Sequence, residues 1–254
     1  MKISLLKERE NFNEILENTL TKYLSVIYGW KGELGFKKIE NSRVFIVNDL
    51  LNVLYPYQIS RSKLSPLIQE FTWHSNIIKK TLQKLYVFWS VRFPLEKIFS
   101  SSKFYLTDFE GLLEYVVIIP GNHSIRLVDT NKNICTVICK TGFNQSLLIK
   151  DAQVRLDNNK LNVPKVIELN SLAGWYQEQR VIGLPLNRLD SEEVKEKILI
   201  KCHNDLNQLY IDSLTKLDLS LFVKNIMKDI NDLNSQIEPS LSNLFKGKPI
   251  TLCS

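Results

Sequence analysis

The segment from Tyr115 to Lys140 leaves this chain few ways to fold. Tyr115 to Pro120 is a short apolar run rich in Val and Ile, and Gly121-Asn122-His123 follows it as a tight turn. Ser124 to Asp129 alternates in polarity, Thr130-Asn131-Lys132-Asn133 is a second turn, and Ile134 to Lys140 is again apolar and β-branched. Stretches of strand length split by turn residues predict strands, and turns this short join antiparallel neighbours. The meander continues into a helix over Gln145 to Leu156. Two further strands follow, Val163 to Leu169 and Trp175 to Ile182, divided by Asn170-Ser171-Leu172-Ala173-Gly174. The expectation is a five-stranded antiparallel sheet carrying one helix.

On either side the apolar period changes from two to between three and four. Phe12, Ile15, Leu16, Thr19, Tyr23 and Val26 predict a helix over 9–28, with Gly29 as its stop. Val44 to Val47 has the composition of a short strand. Asn48 then reads as the cap of a short helix through Leu54, which Pro56 ends. Leu64, Leu67, Ile68 and Phe71 predict another helix, and Ile77, Ile78, Leu82, Leu85 and Phe88 a further one. Pro94 and Ser100-Ser101-Ser102 close this region. After Gly183-Leu184-Pro185, Asp190 and Glu193 read as a helix start, with Val194, Ile198, Cys202, Leu206 and Leu209 on one face. Leu219 to Ile237 is the last predicted helix, ended by Pro239. The class is therefore α+β. A mostly helical N-terminal unit (1–105) precedes the sheet unit (106–186), and a helical segment (187–254) follows it.

Composition excludes several classes. Hydrophobic residues make up 44% of the 254 and charged residues 24%, enough apolar material to build a core. The longest apolar runs, such as Leu85 to Trp89, fall far short of the ~18 residues of a membrane span. The opening MKISLLKERENF has no secretory apolar stretch, so the expected location is cytoplasmic and the four cysteines are expected to be free thiols. His123, Cys135 and Cys139 do not have zinc-site spacing. Between Arg61 and Lys103 stand eight basic residues against only Glu70 and Glu96, a surplus equal to the whole net charge of +6. Trp73, His74, Tyr86 and Trp89 interleave with Lys79, Lys80 and Lys84, a pattern that suits phosphate contact with base stacking. The simpler expectation is an amphipathic helix with aromatic core residues and a basic exposed face. No Gly-x-Ser-x-Gly elbow supports a serine hydrolase, and no Gly-x-Gly-x-x-Gly follows a strand.

The order of the elements from 112 to 182 is strand, Gly turn, strand, turn, strand ending in Lys, helix, strand, strand. In that order YVVIIPGNHSIRLVDTNKNICTVICKTGF resembles the ATP-binding small lobe of the aminoglycoside phosphotransferase and choline kinase group, which has the protein-kinase-like fold. WYQEQRVIGLPLNRL resembles that group's adenine-holding strand and hinge. The resemblance covers about 112–254. It implies ATP and Mg²⁺ as cofactors and a small hydroxylated acceptor as substrate. Gly121, Asn122 and His123 would cover the phosphates, where backbone N–H groups approach phosphate oxygens. Lys140 would pair the nucleotide phosphates, and Asp151, the only acidic residue of the following helix, would hold that lysine in place. Glu178, Gln179 and Arg180 would line the adenine pocket, mainly through backbone groups.

The group's catalytic His-Gly-Asp loop has its nearest match in His203-Asn204-Asp205, which lies inside a helical pattern. Lys248 to Ser254 resembles the strand leading into that loop, so the expectation is the N-terminal, nucleotide-binding part of a phosphotransferase that needs a C-terminal catalytic half. The alternatives are a non-catalytic kinase-like binding module and a basic helical unit that binds nucleic acid.

Overall fold

A computed structural model describes residues 3–49, 51–57, 59–60, 62–64, 77–90, 102–107, 113–158, 163–181, 186, 189, 191–214 and 227–228. Its helices are α1 (Ile3–Arg9), α2 (Phe12–Tyr28), α3 (Ile77–Ser90), α4 (Ser146–Asp157) and α5 (Glu192–Leu214). Its strands are β1 (Leu34–Gly35), β2 (Ser42–Asn48), β3 (Val53–Pro56), β4 (Ser102–Thr107), β5 (Val116–Pro120), β6 (Ser124–Asp129), β7 (Ile134–Cys139), β8 (Val166–Asn170) and β9 (Trp175–Gln179).

All nine strands form one sheet in the order β1-β4-β2-β3-β5-β6-β7-β9-β8, antiparallel throughout. The five expected strands stand side by side as β5-β6-β7-β9-β8, but the sheet has nine strands rather than five. The other four come from the region expected to be mostly helical, and the expected boundary at 105 falls inside β4. Contacts divide the chain at 198/199 instead.

The departure from a helical N-terminal unit begins at Asn48. Its Oδ1 accepts the Leu51 N–H at 3.0 Å, the same local bond that an N-cap makes. Here the bond closes a hairpin between β2 and β3, because Asn52 takes a left-handed φ of 56° and turns the chain back. Phe45 pairs with Pro56 and Val47 with Leu54 in the resulting ladder. The two halves of the sheet meet at β3 and β5, where Leu54 stands opposite Ile118. The Asn52 side chain reinforces this seam by donating to the Pro120 carbonyl at 2.7 Å.

Side chains alternate across the sheet and build a core on each face. On one face Phe45, Leu54, Phe104, Ile118, Ile125, Ile138 and Trp175 pack under α2 through Phe12, Leu16, Leu20 and Tyr23. On the other, Ile46, Val53, Val117, Val128, Val137 and Tyr176 pack with Ala152 of α4 and Val87 of α3. The α2 period is the one the sequence shows, and Gly29 ends the helix in the left-handed region at φ 64°, returning N–H bonds from residues 29 and 30 to Ser25 and Leu24.

The second compact unit spans 199–254, and its described residues are helical over 199–214 and at 227–228. The α5 helix begins one residue later than the expected start, with Ser191 Oγ accepting the Val194 N–H. The helices expected at 64–71 and at Leu219 to Ile237 lie largely outside the described residues.

Candidate functional site

The end of β7 carries the most unusual side chain of the molecule. Lys140 is only 2% exposed, and its ammonium is ion-paired with the Glu10 carboxylate at the junction of α1 and α2. Strand alternation explains the partner. Thr136, Ile138 and Lys140 point toward α2, whereas Cys135 and Val137 point toward α4. Asp151 lies on α4, on the opposite face, so the expected Lys140–Asp151 pair does not form. Thr19 of α2 ties the same corner together: its Oγ1 accepts the Thr141 N–H at 3.0 Å.

The expected phosphate-covering turn does stand beside Lys140. The Lys140 N–H donates to the His123 carbonyl at 3.0 Å. The Gly121 N–H donates to the Ser124 carbonyl at 2.8 Å and closes the turn. Glycine suits this point by space rather than by φ, since a Cβ on Gly121 would sit 3.0 Å from the Ser124 carbonyl oxygen. The exposed Asn122 and His123 form the tip, with the His123 ring 5.5 Å from that of Phe143. The Lys140 ammonium lies 5.6 Å from the centre of the Phe143 ring. A cavity of about 100 Å³ adjoins this corner, lined among others by Thr19, Lys22, Tyr23, Lys140, Phe143 and Trp175. Trp175 Nε1 is buried without a hydrogen-bond partner.

On the other face the structure joins two expected site residues through one that the sequence reading missed. Arg155 of α4 pairs with Asp151 at 2.7 Å and with Glu178 of β9 at 2.6 Å. Its guanidinium lies 4.9 Å over the Tyr176 ring. The signal for Arg155 was the i,i+4 spacing from Asp151 on a helix. Glu10 gave no comparable signal, because 130 residues separate it from Lys140. Burial, reinforced by Glu178, pushes the Tyr176 hydroxyl and the Cys135 thiol each up to about 12. At the expected hinge the Gln179 N–H already donates to Lys165 and the Arg180 N–H to Asn133.

No family model, curated protein or solved structure matches the chain.

Among the described residues, no group of three His, Cys, Asp or Glu side chains converges as metal ligands. His203-Asn204-Asp205 lies within α5, where the His203 ring meets Asn207 one turn on at 2.9 Å. Cys135, Cys139 and Cys202 are free thiols, and Cys253 lies outside the described residues. No described helix is long and apolar enough to cross a membrane.

Proposed function

We propose that residues 106–186, with Glu10 of the N-terminal helices, form the nucleotide-binding part of a kinase-like phosphotransferase acting on a small hydroxylated acceptor. The observation that carries this reading is the arrangement around Lys140. Three antiparallel strands lead to a buried lysine, a helix follows, and two more strands complete a contiguous five-strand block. The lysine is held by a carboxylate and stands against the Gly121 turn. A lysine that pairs nucleotide phosphates needs such a carboxylate to fix its position. In this reading Glu10 takes the part that the sequence assigned to Asp151, and ATP supplies the transferable phosphoryl group.

One pair of observations favours a second reading, a non-catalytic binding module of the same fold. The Lys140 ammonium is already paired, and the hinge N–H groups of Gln179 and Arg180 are already donated. Calorimetric titration with ATP, with and without Mg²⁺, separates the two. The first reading expects saturable binding that Lys140→Met weakens by about 1.5–3 kcal/mol, the loss of a charge-assisted contact. Circular dichroism of the variant checks its fold. No binding by the unmodified chain, or unchanged binding by a folded Lys140→Met variant, overturns the first reading.

A further inference from the structure

The α3 helix is turned the wrong way for an ordinary surface helix. Val87 is buried in the second core, and Tyr86 packs beside it, so this side faces the protein. The opposite side is apolar. Ile77 is 79% exposed, Ile78 70% and Leu82 58%, and Leu85, Phe88 and Trp89 are about half exposed. At 3.6 residues per turn these six side chains share an arc of about 140°. The sequence reading expected a basic outer face. Lys84 instead borders the apolar arc with Lys80 next to it, while the exposed Lys79 lies past Tyr86. No acidic residue occurs between Ile77 and Ser90.

We propose that this face of α3 docks on an anionic lipid surface, lying flat in the headgroup region. A helix with Leu, Phe and Trp on one side and lysines beside them is built for that boundary: apolar groups enter the acyl edge and cations meet lipid phosphates. At about 1.5 Å per residue the helix is roughly 21 Å long, too short to span a bilayer and suited to its plane. The charge selects the partner. With three lysines and no acidic residue, α3 calls for a negative one. A second copy would bring like charges together. A nucleic acid would use the lysines and aromatic rings but leave the four exposed aliphatic side chains without a role. This inference is independent of the nucleotide reading.

The test is flotation of the full chain with vesicles of phosphatidylcholine alone or mixed with phosphatidylglycerol. The chain is expected to float only with the mixed vesicles and to be released by salt. Leu82→Glu with Leu85→Glu abolishes flotation while the melting temperature holds, since both side chains are exposed. Lys84→Ala weakens binding about fivefold. Should the double Glu variant unfold, quenching of the unmodified chain by brominated lipid decides. In a Trp73→Phe background it falls sharply in Trp89→Phe, because the two remaining tryptophans, Trp30 and Trp175, are buried. Four results overturn the proposal: no flotation at low salt; flotation of a folded double Glu variant equal to that of the unmodified chain; quenching unchanged in Trp89→Phe; or a lipid-free dimer that the double Glu variant dissociates. A gel shift with nucleic acid in the absence of vesicle binding overturns it too.

Discussion

The two faces of β7 and β9 carry two ion-pair clusters of opposite character. On the α2 face, Lys140 and Glu10 meet across nearly the whole N-terminal half of the chain, and Lys140 is sealed from water. On the α4 face, Arg155 bridges Asp151, one helical turn away, to Glu178 on the neighbouring strand, and the Asp151 side chain is 61% exposed. The difference teaches which charges matter for stability. A buried charge that loses its partner keeps its desolvation penalty, whereas an exposed pair is largely replaced by water.

The largest effect expected from breaking this comparison is at Glu10. Glu10→Ala strands the Lys140 ammonium in the core and should cost about 3–5 kcal/mol in urea denaturation. Adding Lys140→Met should recover most of that loss, because an apolar replacement of both partners is often neutral. A loss below about 1 kcal/mol from Glu10→Ala would place the pair in water rather than in the core.

Next comes the seam between the two halves of the sheet. Leu54 is fully buried opposite Ile118, so Leu54→Ala should cost about 2–5 kcal/mol. In a Trp73→Phe, Trp89→Phe background, fluorescence of the buried Trp30 and Trp175, set against far-ultraviolet dichroism, should still give one coincident transition. Separate transitions would mean that the halves fold independently.

On the α4 face the expected effects shrink. Glu178→Gln weakens a charge-assisted bond to a partly buried Arg155 and should cost about 1–3 kcal/mol. Asp151→Asn should stay within about 0.5 kcal/mol, since that carboxylate is mostly in water. Equal losses for the two would erase the distinction between the inner and outer ends of this network.

The same face also gives a pH dependence of stability. Burial, with Glu178 nearby, raises the Cys135 thiol from 9.0 to about 12. Above pH 9 the unfolded thiol loses its proton while the folded one keeps it, so the unfolded state binds fewer protons and stability falls with rising pH. The contribution is fully present below pH 9 and disappears toward pH 12. Under reducing conditions, stability at pH 10 relative to pH 8 should fall more in the unmodified chain than in Cys135→Ala. Parallel profiles would show that the thiol does not contribute.

The meander from Tyr115 to Cys139, the helix after it and both later strands were legible because each is a local pattern of period two or 3.6 between turn residues. The α2 helix and its Gly29 stop were legible for the same reason. Of the four N-terminal strands, β2 was legible in Val44 to Val47, and the other three were harder. β1 spans two residues, β4 follows a serine run with no hairpin signal, and Asn48 makes a bond that serves a helix cap and a hairpin equally. Only pairing with distant strands gives those short segments their extended form.

The site divides along the same line. Local sequence determined that Lys140 ends a strand beside a Gly turn, and that Asp151 rides on the next helix. Tertiary structure alone decided that Lys140 faces α2 and Glu10, that Arg155 joins Asp151 to Glu178, and that α3 turns its apolar side outward. The physical reason is range. Backbone preference and side-chain periodicity act over a few residues, whereas the face a side chain occupies and the charge it meets depend on which distant segments pack there.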